Sequence, residues 1–90
     1  MKRIIELKAS EIYTPRSAAA YLSSVFQIEE TGRNMQAVYT GICRQTDSID
    51  IQISEENMQN ILKSRYAYKI MLMLSRASDE NPRIQIHFCR

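Results

Sequence analysis

Residues 35–44, MQAVYTGICR, decide between two folds for this chain. Read as a strand, with Gly41 marking a bulge as an internal glycine often does, they supply the fourth strand of a sheet. Without them the chain would be a three-stranded α/β sandwich. The following residues favour the strand. Gln45 to Ser48 is short and polar, and Ile49, Ile51 and Ile53 then alternate with Asp50 and Gln52, the pattern of a half-buried strand. The two segments can pair as a hairpin.

Toward the N-terminus, residues 2–8, KRIIELK, have the length and β-branched content of a strand, with Ile5 and Leu7 on one face and Ile4 and Glu6 on the other. Residues 9–13 connect it to Thr14-Pro15, an N-cap residue followed by a proline at the first helical position, where its missing N–H costs nothing. A helix is expected through RSAAAYLSSVFQIEE, with Ala18, Leu22, Val25 and Phe26 as its apolar stripe and Gly32 as its left-handed C-cap.

Toward the C-terminus, residues 54–76, SEENMQNILKSRYAYKIMLMLSR, read as one long helix. Ser54 can accept from the free N–H groups of the first turn, and Glu55 and Glu56 oppose the positive end of the helix dipole. At 100° per residue, Leu62, Tyr66, Ile70 and Met73 form a core face with Leu74 and Ala77 at its edge. Ile61, Tyr68 and Leu72 gather on the opposite side, with Met58 and Met71 at its margins. This second apolar stripe needs a cover, and contiguous exposed apolar residues mark interaction sites on small soluble domains. A polar stretch, residues 78–82, ends in Pro82, which forces Asn81 to be extended. The last strand, residues 83–89, places Ile84, Ile86 and Phe88 on one face and Gln85, His87 and Cys89 on the other.

The order strand, helix, strand, strand, helix, strand predicts an α+β fold of the ferredoxin-like split β-α-β type. It is a four-stranded antiparallel sheet with both helices on one face. The alternation of apolar and polar residues in each clear strand, imperfect only in residues 35–44, agrees with a sheet covered on a single side.

Ninety residues make one domain, residues 1–90, and a hydrophobic content of 44% against 24% charged residues marks it as globular. The net charge of +2 permits contact with nucleic acid without arguing for it. Glu6 interrupts the apolar run soon after Met1-Lys2-Arg3, unlike a signal peptide, and no stretch is long enough to cross a bilayer. Cys43 and Cys89 lack metal-ligand spacing and read as free thiols of a reducing compartment. The expected location is the cytoplasm, whether the source is a cell, a phage or a mobile element.

Little catalytic chemistry is legible. His87 is the single histidine, and Asp50 is the one candidate partner visible for its sheet face. With two glycines in the chain there is no phosphate-cradling loop, nor any nucleophile elbow or paired-carboxylate pattern. No enzyme activity, cofactor or metal is expected. The first and third strands, RIIELK and SIDIQI, carry no aromatic residue, which excludes the base-stacking mode of RNA-recognition motifs. Residues 14–22, TPRSAAAYL, resemble the opening of excisionase-type helix-turn-helix domains. The glycine turn and basic recognition helix of that family do not follow, so nothing is carried over from it.

The reading that remains is a protein-binding module that self-associates. Its contact residues are Ile61, Arg65, Tyr68, Met71 and Leu72, with Tyr68 as anchor because aromatic residues dominate interface energetics. The alternative is a nucleic-acid-associated regulator whose dimer contacts phosphates through Lys63, Lys69 and Arg83.

Overall fold

In a computed structural model, which describes residues 2–29 and 34–89, the deciding stretch is helical. Asn34 caps it, its side chain accepting from the Gln36 N–H at 2.9 Å, and the helix runs Met35–Cys43. Val38 and Ile42 are buried, with Met35 and Tyr39 packed beside them. This is the i, i+3, i+4, i+7 spacing of an amphipathic helix. Gly41 is no bulge. A Cβ at this position would lie 2.8 Å from Ile28 Cγ2, so glycine lets the chain leaving the preceding helix pack against the helix surface.

The elements in order are β1 (Lys2–Glu6), a 3₁₀ turn (Ala9–Glu11), α1 (Pro15–Val25), α2 (Met35–Cys43), β2 (Ser48–Ser54), α3 (Glu55–Leu62), α4 (Arg65–Glu80) and β3 (Ile84–Cys89). The strands form one sheet in the order β1-β2-β3, with both pairings parallel. The expected four-stranded antiparallel ferredoxin-like sheet is therefore incorrect. Because Met35–Cys43 is a helix and not a strand, every connection between consecutive strands is a helical crossover, so each strand re-enters the sheet in the direction of the last. No hairpin joins β2 to a preceding strand.

Along the register, Ile5, Ile51 and Ile86 stand side by side, as do Ile49 with Ile84 and Ile53 with Phe88. Ile5, Ile49, Ile51, Ile53 and Ile84 are buried beneath the helices, while Ile4, Gln85 and His87 on the other face are exposed. All-parallel sheets are normally covered on both faces. Here the uncovered face is largely polar.

α1 begins as expected, with the Thr14 side chain accepting from the Ser17 N–H at 3.2 Å and Pro15 in the first turn. It ends earlier than expected, at Val25, and Gln27 turns the chain with a φ of 55°. The expected C-cap, Gly32, lies outside the described residues.

Residues 54–76 are not one helix. Ser54 does cap α3, accepting from the Asn57 N–H at 3.1 Å, but α3 stops at Leu62. Ser64 then caps α4, accepting from the Ala67 N–H at 3.2 Å. The break resets the helical phase. Ile61, expected on the outer stripe, is buried in the core, whereas Leu62, expected in the core, is 59% exposed. In α4 the inward stripe is Ala67, Ile70, Leu74 and Ala77, with Tyr66 and Met73 packed beside it.

Asn81 ties the sheet to the helices. Its backbone is extended, as Pro82 requires, and its buried amide donates to Cys43 O and Gln45 O, each at 3.0 Å. Its Oδ1 accepts from the Arg83 N–H at 3.1 Å. One side chain thus joins the end of α2 to the start of β3.

Candidate protein-contact surfaces

The Ser64 cap fixes where α4 starts, and the buried Ala67, Ile70, Leu74 and Ala77 fix how it is rotated. Tyr68 and Leu72, four residues apart, consequently point away from the core, 40% and 45% exposed. Arg65 shares their sector, the three lying within about 60° of one another at 100° per residue. Exposed Arg76 and Asp79 extend the stripe with charge toward the end of the helix. Met71 is half-buried against the core and borders the stripe, while Ile61 takes no part in it. Of the basic residues, Lys69 is exposed on α4 and Lys63 in the turn before it, whereas Arg83 is exposed in the turn just before β3.

The structure brings together the two polar residues that the sequence placed on the open face. Asp50, on the central strand, is 9% exposed. Its Oδ2 lies 2.9 Å from Lys2 Nζ on one side, and its Oδ1 lies 3.5 Å from His87 Nε2 on the other. Both contacts run diagonally between neighbouring strands, since Asp50 is level with Ile4 and Gln85 in the register. The hydrogen bond from Lys2 holds the Asp50 carboxyl below the usual range, and His87 adds to the effect. A cavity of about 240 Å³ lined by Lys2, Ser48, Asp50, Pro82, Arg83 and Gln85 adjoins this row. The row is a bound ion pair with a histidine beside it. Among the described residues no group of three or more His, Cys, Asp or Glu is placed to hold a metal ion.

A larger groove, about 450 Å³, opens where β2 and β3 end, between Ile53, Met58, Gln59, Phe88 and Cys89. Phe88 is 63% exposed. Sequence alternation correctly gave Phe88 the same sheet face as Ile84 and Ile86, but the helices do not extend over the end of this outer strand. Strand position, which alternation does not encode, was the missing signal.

Both thiols are free. Cys43 Sγ sits 3.5 Å from Glu80 Oε2, and burial, followed by the carboxylate, pushes its pKa up. The nearby Tyr39 hydroxyl is buried without a hydrogen-bond partner, and its pKa is pushed up to about 12, first by burial and then by Cys43 and Glu80. Both shifts disfavour the ionised forms of Cys43 and Tyr39.

No known protein family matches the chain, and no curated protein matches it in sequence. Among the described residues no helix is long and apolar enough to cross a membrane.

Proposed function

We propose that this chain is a small non-catalytic protein-binding module of the cytoplasm, and that the outer stripe of α4 is its contact surface. Tyr68 is the anchor, Leu72 and Met71 supply the apolar surround, and Arg65 forms a polar rim. The observation that supports this reading is the exposure of Tyr68 and Leu72 on the side of α4 opposite its buried stripe. Large apolar side chains clustered on one outward helix face lower the free energy when a second surface removes them from water. The action is steric: a partner held on α4 has that part of its own surface occupied.

The test compares capture of proteins from the source's own cells by wild type and by Tyr68→Asp/Leu72→Asp, at low salt and at about 1 M salt, where exposed charges are screened. A partner held by wild type in both salts and released by the double variant is the expected result. Equal capture by both chains would refute the stripe. Capture that collapses with salt would instead favour phosphate contacts by Lys63, Lys69 and Arg83. The variant should keep its helical circular dichroism, since both positions face solvent.

A further inference from the structure

The outer edge of β3 is a surface whose backbone chemistry specifies its occupant. The Ile49 N–H donates to Arg83 O across the β2–β3 pairing at 2.8 Å. By strand alternation, Gln85, His87 and Cys89 also direct their N–H and C=O groups toward β2, while Ile84, Ile86 and Phe88 direct theirs outward. At Ile84 both groups are already used: the N–H donates to Asn81 O at 3.0 Å, and the C=O accepts from Ser78 Oγ at 2.6 Å. Among the described residues, nothing pairs with the outward groups of Ile86 and Phe88.

The opposite edge of the sheet is closed at one end as well. On the β1 side the Tyr21 hydroxyl donates to Glu6 O at 2.7 Å and accepts from the Lys8 N–H at 3.3 Å, so α1 closes the end of that edge. Beyond Ile84, β3 lacks the commonest devices that keep an edge strand single. Its sequence IQIHFC contains no lysine and no proline, and its register with β2 is continuous from Ile84 to Cys89, without a bulge.

We infer that β3 pairs antiparallel with β3 of a second copy, about a twofold axis at His87. In that register Ile86 faces Phe88 of the second copy, and Phe88 faces its Ile86. The N–H and C=O of both residues are then satisfied in each chain, and the two sheets join into one of six strands. A register centred on Ile86 would instead set Phe88 against Ile84, whose groups are taken. The side chains fit the same arrangement. On the helix side, half-buried Ile86 lies beside the exposed Phe88 of the other copy, an aromatic and β-branched cross-strand pair. On the other side Gln85 meets Cys89, and the two His87 rings meet with an Asp50 carboxylate 3.5 Å from each. The strand contains no lysine, arginine or carboxylate to set like full charges across the axis. A strand pair of this size buries less than the roughly 800 Å² per partner of a standard interface, so the dimer forms with a dissociation constant on the order of micromolar. This assembly uses a surface separate from the α4 stripe.

Sedimentation equilibrium of the full chain from about 0.1 μM to 100 μM, spanning such a constant, reads the assembly directly. The expected result is a monomer–dimer equilibrium that Tyr68→Asp/Leu72→Asp leaves unchanged. Phe88→Pro deletes an outward N–H at an edge position where proline is tolerated, and should weaken the dimer at least about tenfold while helical circular dichroism is retained. The register is read by cross-linking. Gln85 sits opposite Cys89 of the second copy in a non-hydrogen-bonded pair, with Cα atoms about 4.5 Å apart, within disulfide reach. Cys43→Ser/Gln85→Cys should therefore form covalent dimers on mild oxidation. Cys43→Ser alone should not, because the two Cys89 are offset by four residues, about 13 Å. A monomer throughout the concentration range would overturn the inference. So would a dimer that survives Phe88→Pro but is lost with the α4 variant, or one that cross-links through Cys89 alone.

Discussion

Two adjacent residues provide the sharpest test of where the helices break. Ile61 and Leu62 have the same number of carbons, yet the turn at Lys63 and the new cap at Ser64 leave one fully buried and the other 59% exposed. Ile61→Ala removes three carbons from the core at about 0.8 kcal/mol each, and the cavity left behind raises the loss to about 3 kcal/mol. Leu62→Ala removes the same number from a side chain that is already mostly in water, so roughly two-fifths of the transfer term applies, about 1 kcal/mol. With a urea m-value near 1.5 kcal/mol/M, the denaturation midpoint should fall by about 2 M for Ile61→Ala and by about 0.7 M for Leu62→Ala. The assay is urea unfolding followed by circular dichroism at 222 nm, a wavelength sensitive to helix, with the m-value held as a check on two-state behaviour. A Leu62→Ala midpoint as low as that of Ile61→Ala would restore the uninterrupted helix and refute the phase reset.

The buried Asn81 amide serves two carbonyls and one N–H, so Asn81→Ala should cost about 2–4 kcal/mol, lowering the thermal midpoint by roughly 10–25 °C in a calorimetric scan. A fall of less than about 4 °C would mean that water replaces the side chain at little cost. Acid titration tests the open-face pair. Because Lys2 holds the folded Asp50 carboxyl below its ordinary value, its stabilising contribution is fully present above the unfolded pKa near ~3.9 and is lost as pH falls through the lower folded value. Asp50→Asn should therefore destabilise at pH 7, and the gap from wild type should close below about pH 4 in urea midpoints measured across pH. A gap that widens on acidification would contradict the sign.

Much of the local structure was legible in the sequence because it rests on local chemistry. Thr14-Pro15 and Ser54 start helices where their side chains can reach free N–H groups, and the isoleucines of β2 alternate because one sheet face is dry. The extended Asn81 follows from its proline. Two features were legible but outweighed. Met35, Val38, Tyr39 and Ile42 have helical spacing, but Gly41 suggested a bulge, since its role in admitting Ile28 depends on a tertiary contact. Ser64 was a second possible N-cap inside a stretch whose overall periodicity already read as helix.

The candidate site divides in the same way. Tyr68 and Leu72 were identifiable as outward residues because α4 keeps a regular period, while Ile61 was misplaced because the helix containing it ends before that period begins. Residue order and side-chain chemistry by themselves determined the caps, the apolar faces of the strands and the outward stripe of α4. Strand direction and the exposure of Phe88 were decided only by tertiary structure. A strand with one dry face has the same alternation whether its neighbour runs parallel or antiparallel. What selects between them is whether a hairpin or a helical crossover joins the strands, and that depended on Met35–Cys43 being a helix.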